Sequence, residues 1–120
     1  MAVSLTEEQV GAVRERILRT TERQIATRGI DGTSLRSIAT EMGWTAASLY
    51  RYFASKGELL AAARAAAHDR FSDRIEAAYA SADDPWQRSR AIGDAYVAFA
   101  FTEPAAYQLI FAYNQPDSER

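Results

Sequence analysis

The sequence predicts an all-α protein: a three-helix bundle containing a helix-turn-helix, then a long helix leading into further helices. Three observations carry this. Apolar residues recur at three- and four-residue steps in each segment, Ala is abundant, and no stretch alternates in the two-residue period of a strand. Short breaks built on Gly, Ser, Thr, Asp and Pro separate the segments at the places where helices start and stop.

The first helix opens at a capping-box spacing, either Thr6 with Gln9 or Ser4 with Glu7. Val10, Val13, Ile17, Leu18, Thr21, Ile25 and Ala26 mark its buried face. Arg14, Glu15, Arg16, Arg19, Glu22 and Arg23 between them are read as a solvated face. Gly29 ends the helix behind Arg28, a cation where the helix dipole favours one. Thr33 or Ser34 then caps a second helix with Leu35, Ile38, Ala39 and Met42 as its stripe, Ala39 being small enough for a close crossing. Gly43 suits a left-handed turn, and Trp44 is expected to wedge under it.

Thr45 is the predicted cap of the third helix, anchored by Leu49 and Phe53. That spacing leaves Ala46, Ala47, Ser48, Tyr50, Arg51 and Tyr52 on or near the outward face. Small residues in a first turn let a helix end approach base edges, and alanine methyls can meet thymine methyls. Tyr50 can donate to a phosphate, and Arg51 can pair with phosphate or guanine. Ser55 and Glu58 have capping-box spacing for a long fourth helix through Leu59, Leu60, Ala63, Ala67, Phe71, Ile75 and Ala78. Lys56 beside its N-terminus is read as a phosphate clamp.

Asp84 and Pro85 start a fifth helix whose apolar residues are Trp86, Ile92, Tyr96, Phe99 and Ala100. After Glu103-Pro104 come Tyr107, Leu109, Ile110, Phe111 and Tyr113, and residues 114–120 are expected to be disordered. The rings of Tyr96, Phe99, Phe101, Tyr107, Phe111 and Tyr113 are read as core rather than ligand box.

The net charge is −2, without the strong basic excess of a dedicated nucleic-acid binder. The distribution matters more: between Thr33 and Gly57, Glu41 is the sole acid against Arg36, Arg51 and Lys56. Phosphate attraction acts within a Debye length of about 8–10 Å, so a locally positive face suffices. The zero cysteine count excludes disulfides and thiolate metal sites and fits a cytoplasmic setting. No span long enough for a bilayer and no leader are read, so no membrane partner is expected. His68, the single histidine, has no partner spacing for zinc or catalysis, and Asp83-Asp84 reads as capping; neither an enzyme, a metal nor a cofactor is expected.

From Arg36 to Leu60 the sequence resembles the tetracycline-repressor (TetR) family of bacterial transcriptional regulators. The residues that carry it are Gly29-Ile-Asp-Gly-Thr33, Ser37-Ile-Ala-Thr-Glu-Met-Gly43, Ala47-Ser-Leu-Tyr-Arg-Tyr-Phe53 and Ser55-Lys-Gly-Glu-Leu-Leu60. The resemblance covers about residues 12–75. It implies a helix-turn-helix DNA-binding domain over 1–54, and over 55–120 a connecting helix with an incomplete C-terminal ligand-binding and dimerisation domain. It also implies that Ser34, Leu35 and Arg36 brace the recognition helix and reach DNA, that Thr45, Ala46, Ala47, Ser48, Tyr50, Arg51 and Tyr52 form the recognition surface, and that Lys56 meets phosphate. A palindromic double-stranded operator, repression relieved by a small-molecule effector, and a homodimer through helices missing from this chain are the implied partners. Phe71, Tyr96, Phe99, Tyr107 and Phe111 are the corresponding effector candidates. Glu22 and Gln24 stand where members often place apolar residues. The competing expectation is a helical interaction module that does not bind DNA and works through its aromatic second half.

Overall fold

The structure, a computed structural model, describes residues 6–112. Ser4, the alternative first cap, and Tyr113 with the tail 114–120 lie outside the described residues. The elements are α1 (Glu7–Arg28), α2 (Leu35–Met42), α3 (Ala46–Tyr50), α4 (Lys56–Ala80), α5 (Pro85–Thr102) and α6 (Pro104–Tyr107), the last running into a π-helical turn at Gln108–Ala112. All regular structure among the described residues is helical. The chain divides into two compact units, Met1–Leu59 and Leu60–Arg120.

In the first unit, Thr6 and Gln9 form the capping box. The Gln9 N–H donates to Thr6 Oγ1 at 3.1 Å and the Thr6 N–H to Gln9 Oε1 at 2.8 Å. The buried face of α1 differs from the predicted stripe: it is Ile17, Thr20, Thr21, Gln24 and Ile25, while Ala26 is exposed. Two of the polar members satisfy themselves. Thr20 Oγ1 donates to the Arg16 carbonyl at 2.9 Å, and Thr21 Oγ1 to that of Ile17 at 2.8 Å. A threonine bonded back along its own helix presents mainly its methyl group to the core.

Gly29 closes α1 at φ 76°, and Gly43 closes α2 at φ 74°, ψ 25°, a left-handed conformation that any Cβ would strain. Ser34, and not Thr33, caps α2; Thr33 is buried and donates to the Gly29 carbonyl at 2.9 Å. Around these turns close Ile30, Leu35, Ile38, Ala39, Met42, Leu49, Phe53 and Leu59, all buried.

The second unit packs Ala67 of α4 with Phe99 of α5, Ala106 of α6 and Ile110, with Phe71 and Tyr107 against them. Asp84 caps α5, accepting from the Gln87 N–H at 3.0 Å. Glu103, at the α5–α6 junction, receives the guanidinium groups of Arg70 at 2.8 Å and Arg74 at 2.6 Å. Past Tyr107 the helix widens instead of continuing as α. There Arg64 Nε donates to the Leu109 carbonyl at 3.1 Å, fixing that end of the chain to α4.

Of the rings expected in the core, Tyr96, Phe101 and Phe111 are exposed, as is the apolar Trp86 of α5. Trp86 is 79% and Phe101 82% exposed. α5 carries apolar side chains around most of its circumference, so periodicity alone does not select a face. His68 is exposed on α4. Among the described residues no helix is long and apolar enough to cross a membrane, and no group of three metal-ligating side chains converges.

Candidate nucleic-acid interface

The surface is built by two caps and one glycine turn. At the start of α2 the Ser34 hydroxyl accepts from the Ser37 N–H, and the Ser37 hydroxyl accepts from the Ser34 N–H, both at 2.9 Å. This reciprocal cap places Arg36 exposed in the first turn. Gly43 then reverses the chain, and the Trp44 N–H donates to the Ala39 carbonyl at 2.7 Å. Thr45 caps α3 by accepting from the Ser48 N–H at 3.1 Å.

α3 is only five residues long, so packing and not propensity must hold it. Leu49 at 0% and Phe53 at 2% exposure are its roots in the core. With these two turned inward, Thr45, Ala47, Tyr50 and Arg51 are exposed, and Ala46, Ser48 and Tyr52 half-buried. Tyr52 lies against Trp44 at 6.0 Å between ring centroids. A cleft of about 400 Å³ opens between Gly43, Trp44, Thr45, Ser48, Arg51 and Tyr52.

Two predicted positions take different places. Leu35 is 5% exposed, in the buried stripe of α2 that its spacing predicts and not on the DNA-facing surface that the family resemblance implies. Lys56 is half-buried, and its ammonium donates to the Ile30 carbonyl at 2.7 Å, tying the start of α4 to the α1–α2 turn. Two of its three N–H donors are left over.

Sequence reasoning missed two residues that hold this surface. Arg14, assigned to a solvated face, donates from Nη1 to the Tyr52 carbonyl at 3.2 Å, with its guanidinium 4.5 Å from the Phe53 ring centroid. It steadies the C-terminal end of α3, and no local pattern signals so distant a contact. Gln24 is 2% exposed and bonds α1 to α2. Its signal was present, since it stands three residues after Thr21 and four after Thr20. On the rim, Arg23 Nε donates to Glu41 Oε2 at 2.8 Å. Hydrogen bonds from Gln24 and then Arg23 hold the Glu41 carboxyl below its ordinary pKa.

The effector candidates, by contrast, fill one another's space. Phe71 meets Phe99 at 5.2 Å, Phe111 at 5.4 Å and Tyr96 at 5.7 Å, and Tyr107 meets Phe111 at 4.9 Å. These are edge-to-face and tilted ring contacts of ordinary aromatic packing, with Phe99 alone of the five fully buried. Tyr96 and Phe111 remain 37% and 46% exposed. The Tyr96 and Tyr107 hydroxyls approach to 3.5 Å, and this contact, with burial, raises the Tyr96 phenol above its usual pKa.

A three-helix unit with a capped second helix, a left-handed glycine turn and an outward-facing third helix defines a helix-turn-helix protein. Residues 17–63 match the bacterial regulatory proteins of the tetR family, and the chain belongs to that family. It is similar to the HTH-type transcriptional regulator Rv1816 of Mycobacterium tuberculosis, 30% identical over 106 residues, covering 87% of this chain and 45% of that protein. PksA of Bacillus subtilis, an HTH-type transcriptional regulator, is 40% identical over 63 residues, covering 52% of this chain and 31% of it. Among solved structures, the regulatory protein SCO4313 superimposes with a TM-score of 0.77 at 33% identity, covering 95% of this chain and 54% of its own. The ketosteroid transcriptional regulator KstR2 of Mycobacterium tuberculosis gives 0.69 at 26% identity, over 80% and 50%. The chain thus spans less than half the length of the curated relatives it matches.

Proposed function

We propose that the chain is a sequence-specific DNA-binding transcriptional regulator acting in the cytoplasm, and that it represses from a palindromic operator as a homodimer. The observation that carries this is the outward face of α3, with Thr45, Ala47, Tyr50 and Arg51 exposed over a root of buried Leu49 and Phe53. In this reading residues 1–54 bind DNA. Arg36 and Arg51 read base edges or phosphate, while Ser34, Thr45, Ser48, Tyr50 and Tyr52 position the protein on the backbone. Ala46 and Ala47 permit close approach, and the spare donors of Lys56 reach a phosphate.

Residues 55–120 supply the connecting helix and effector-domain helices, in which a small apolar molecule would part the rings of Phe71, Tyr96, Phe99, Tyr107 and Phe111. The reading assigns the chain no catalysis. It predicts two recognition helices about 34–36 Å apart in the dimer, one turn of B-DNA.

A mobility-shift assay on the promoter of its own gene tests the proposal. Tight binding that weakens steeply with salt is expected. Absent or salt-independent binding by the dimer would sink it, and would favour the alternative of a helical interaction module. The exposed Trp86, Val97 and Phe101 of α5 are the observation on that side.

A further inference from the structure

We infer that Gln24 is a positioning residue for DNA recognition, acting through Ser37 and Glu41 to fix the register of α2 against α1; the inference rests on the DNA-binding reading above. A buried carboxamide on the core face of α1 is an unusual choice, because a polar group gains nothing from burial unless every donor and acceptor is met. Here all are met. Gln24 Oε1 accepts from the Ser37 hydroxyl at 2.7 Å, and Nε2 donates to the Ser37 carbonyl and to Glu41 Oε1, both at 2.9 Å.

The geometry of the partners gives the role. Ser37 lies in the first turn of α2 and Glu41 in its last, so one side chain holds both ends of an eight-residue helix. Apolar packing is non-directional and tolerates a slide or a roll, whereas three angle-dependent bonds do not. Ser37 is also the partner of Ser34 in the cap that begins the helix, and its hydroxyl lies 3.0 Å from the Ser34 carbonyl. The chain from Gln24 therefore ends on the backbone that carries Arg36. Through Gly43 the same helix sets the entry of α3.

Removal of the carboxamide leaves little stranded. The Ser37 hydroxyl keeps the Ser34 carbonyl as acceptor, and Glu41 keeps Arg23. Gln24→Met, of nearly equal size, is thus expected to change placement more than stability.

The test uses the full chain, a duplex selected by the wild-type protein from a randomised pool, and a scrambled duplex of equal length. For Gln24→Met the expected result is an unfolding midpoint close to wild type and affinity for the scrambled duplex within about twofold, with affinity for the selected duplex reduced about tenfold. The salt slope should stay unchanged, since the phosphate contacts are still made. Ser37→Ala on top of Gln24→Met should add less than it costs alone. Retention of wild-type discrimination by Gln24→Met would overturn the inference. So would equal losses on both duplexes, or a loss that merely follows the unfolded fraction. Failure of the wild type to enrich any sequence would instead remove the DNA-binding reading, and the inference with it.

Discussion

The two units of this chain solve the same packing problem with different materials. The first, Met1–Leu59, places its outward residues through directional contacts: two reciprocal caps, a left-handed glycine, and cross-helix bonds from Arg14, Gln24 and Lys56. The second closes on rings, with Phe71, Tyr96, Phe99, Tyr107 and Phe111 in mutual contact and Trp86 and Phe101 left open. Directional bonds specify where a surface residue stands. Ring clusters supply burial and tolerate rearrangement.

The largest effects should come from the two cores. Leu49→Ala removes a fully buried root of α3 and is expected to cost about 2–5 kcal/mol, and Phe99→Ala about 3–5 kcal/mol in the ring cluster. Urea unfolding beside a shift assay separates them. Loss of DNA binding should accompany Leu49→Ala far more than Phe99→Ala, and the reverse order would break the division of labour. Next in size, Arg36→Ala should weaken the operator complex by about 1–3 kcal/mol and relax sequence choice if the guanidinium reads a base. A uniform loss on all duplexes would reassign it to phosphate.

Gly43→Ala comes third, at about 1–2 kcal/mol for a Cβ at φ 74°. Unlike the core changes, it should cost little burial, so the urea m-value should stay constant while the midpoint falls.

These comparisons also show what could be read in the residues themselves. Thr45 and Asp84 were legible as caps, and Thr6 and Ser34 each as one of two candidates, because a cap is a local bargain between one side chain and a backbone three residues on. Leu49, Phe53 and Gly43 were legible for the same reason, since spacing and one backbone angle decide them. What stayed hidden was everything settled by a distant partner. Arg14 finds Tyr52, Lys56 finds Ile30 and Glu103 collects Arg70 and Arg74, at separations no helical period encodes. Gln24 stood out as a polar residue where the family pattern places an apolar one, and its spacing also placed it inside, but its partners on α2 were not legible. α5 misled in the opposite way, offering more apolar residues than one face can bury.

Lys56 lets a smaller effect decide between two roles. With its ammonium 2.7 Å from the Ile30 carbonyl, Lys56→Met should lower stability by about 1 kcal/mol in chemical unfolding. A phosphate contact made by the remaining donors would in addition reduce the salt slope of DNA binding by about 1. Both changes together are expected; an unaltered slope would confine Lys56 to the α1–α2 turn.

The smallest expected effect lies at Glu41, on the rim of the Gln24 network. Its carboxyl is held below its ordinary value of 4.5 by Gln24 and then by Arg23. A carboxyl whose pKa is depressed on folding contributes stability that is present above its unfolded value and is lost as pH falls through the folded one. Acid unfolding followed by circular dichroism should therefore show a contribution vanishing below about pH 4.5, and Glu41→Gln should remove that pH dependence, being slightly less stable than wild type at neutral pH and converging with it in acid. Because the side chain is a third exposed, the change should also shrink in high salt. Identical acid profiles for the two proteins would show that the Arg23 and Gln24 contacts with Glu41 are geometric only, leaving Ser37 to hold α2 without an electrostatic share.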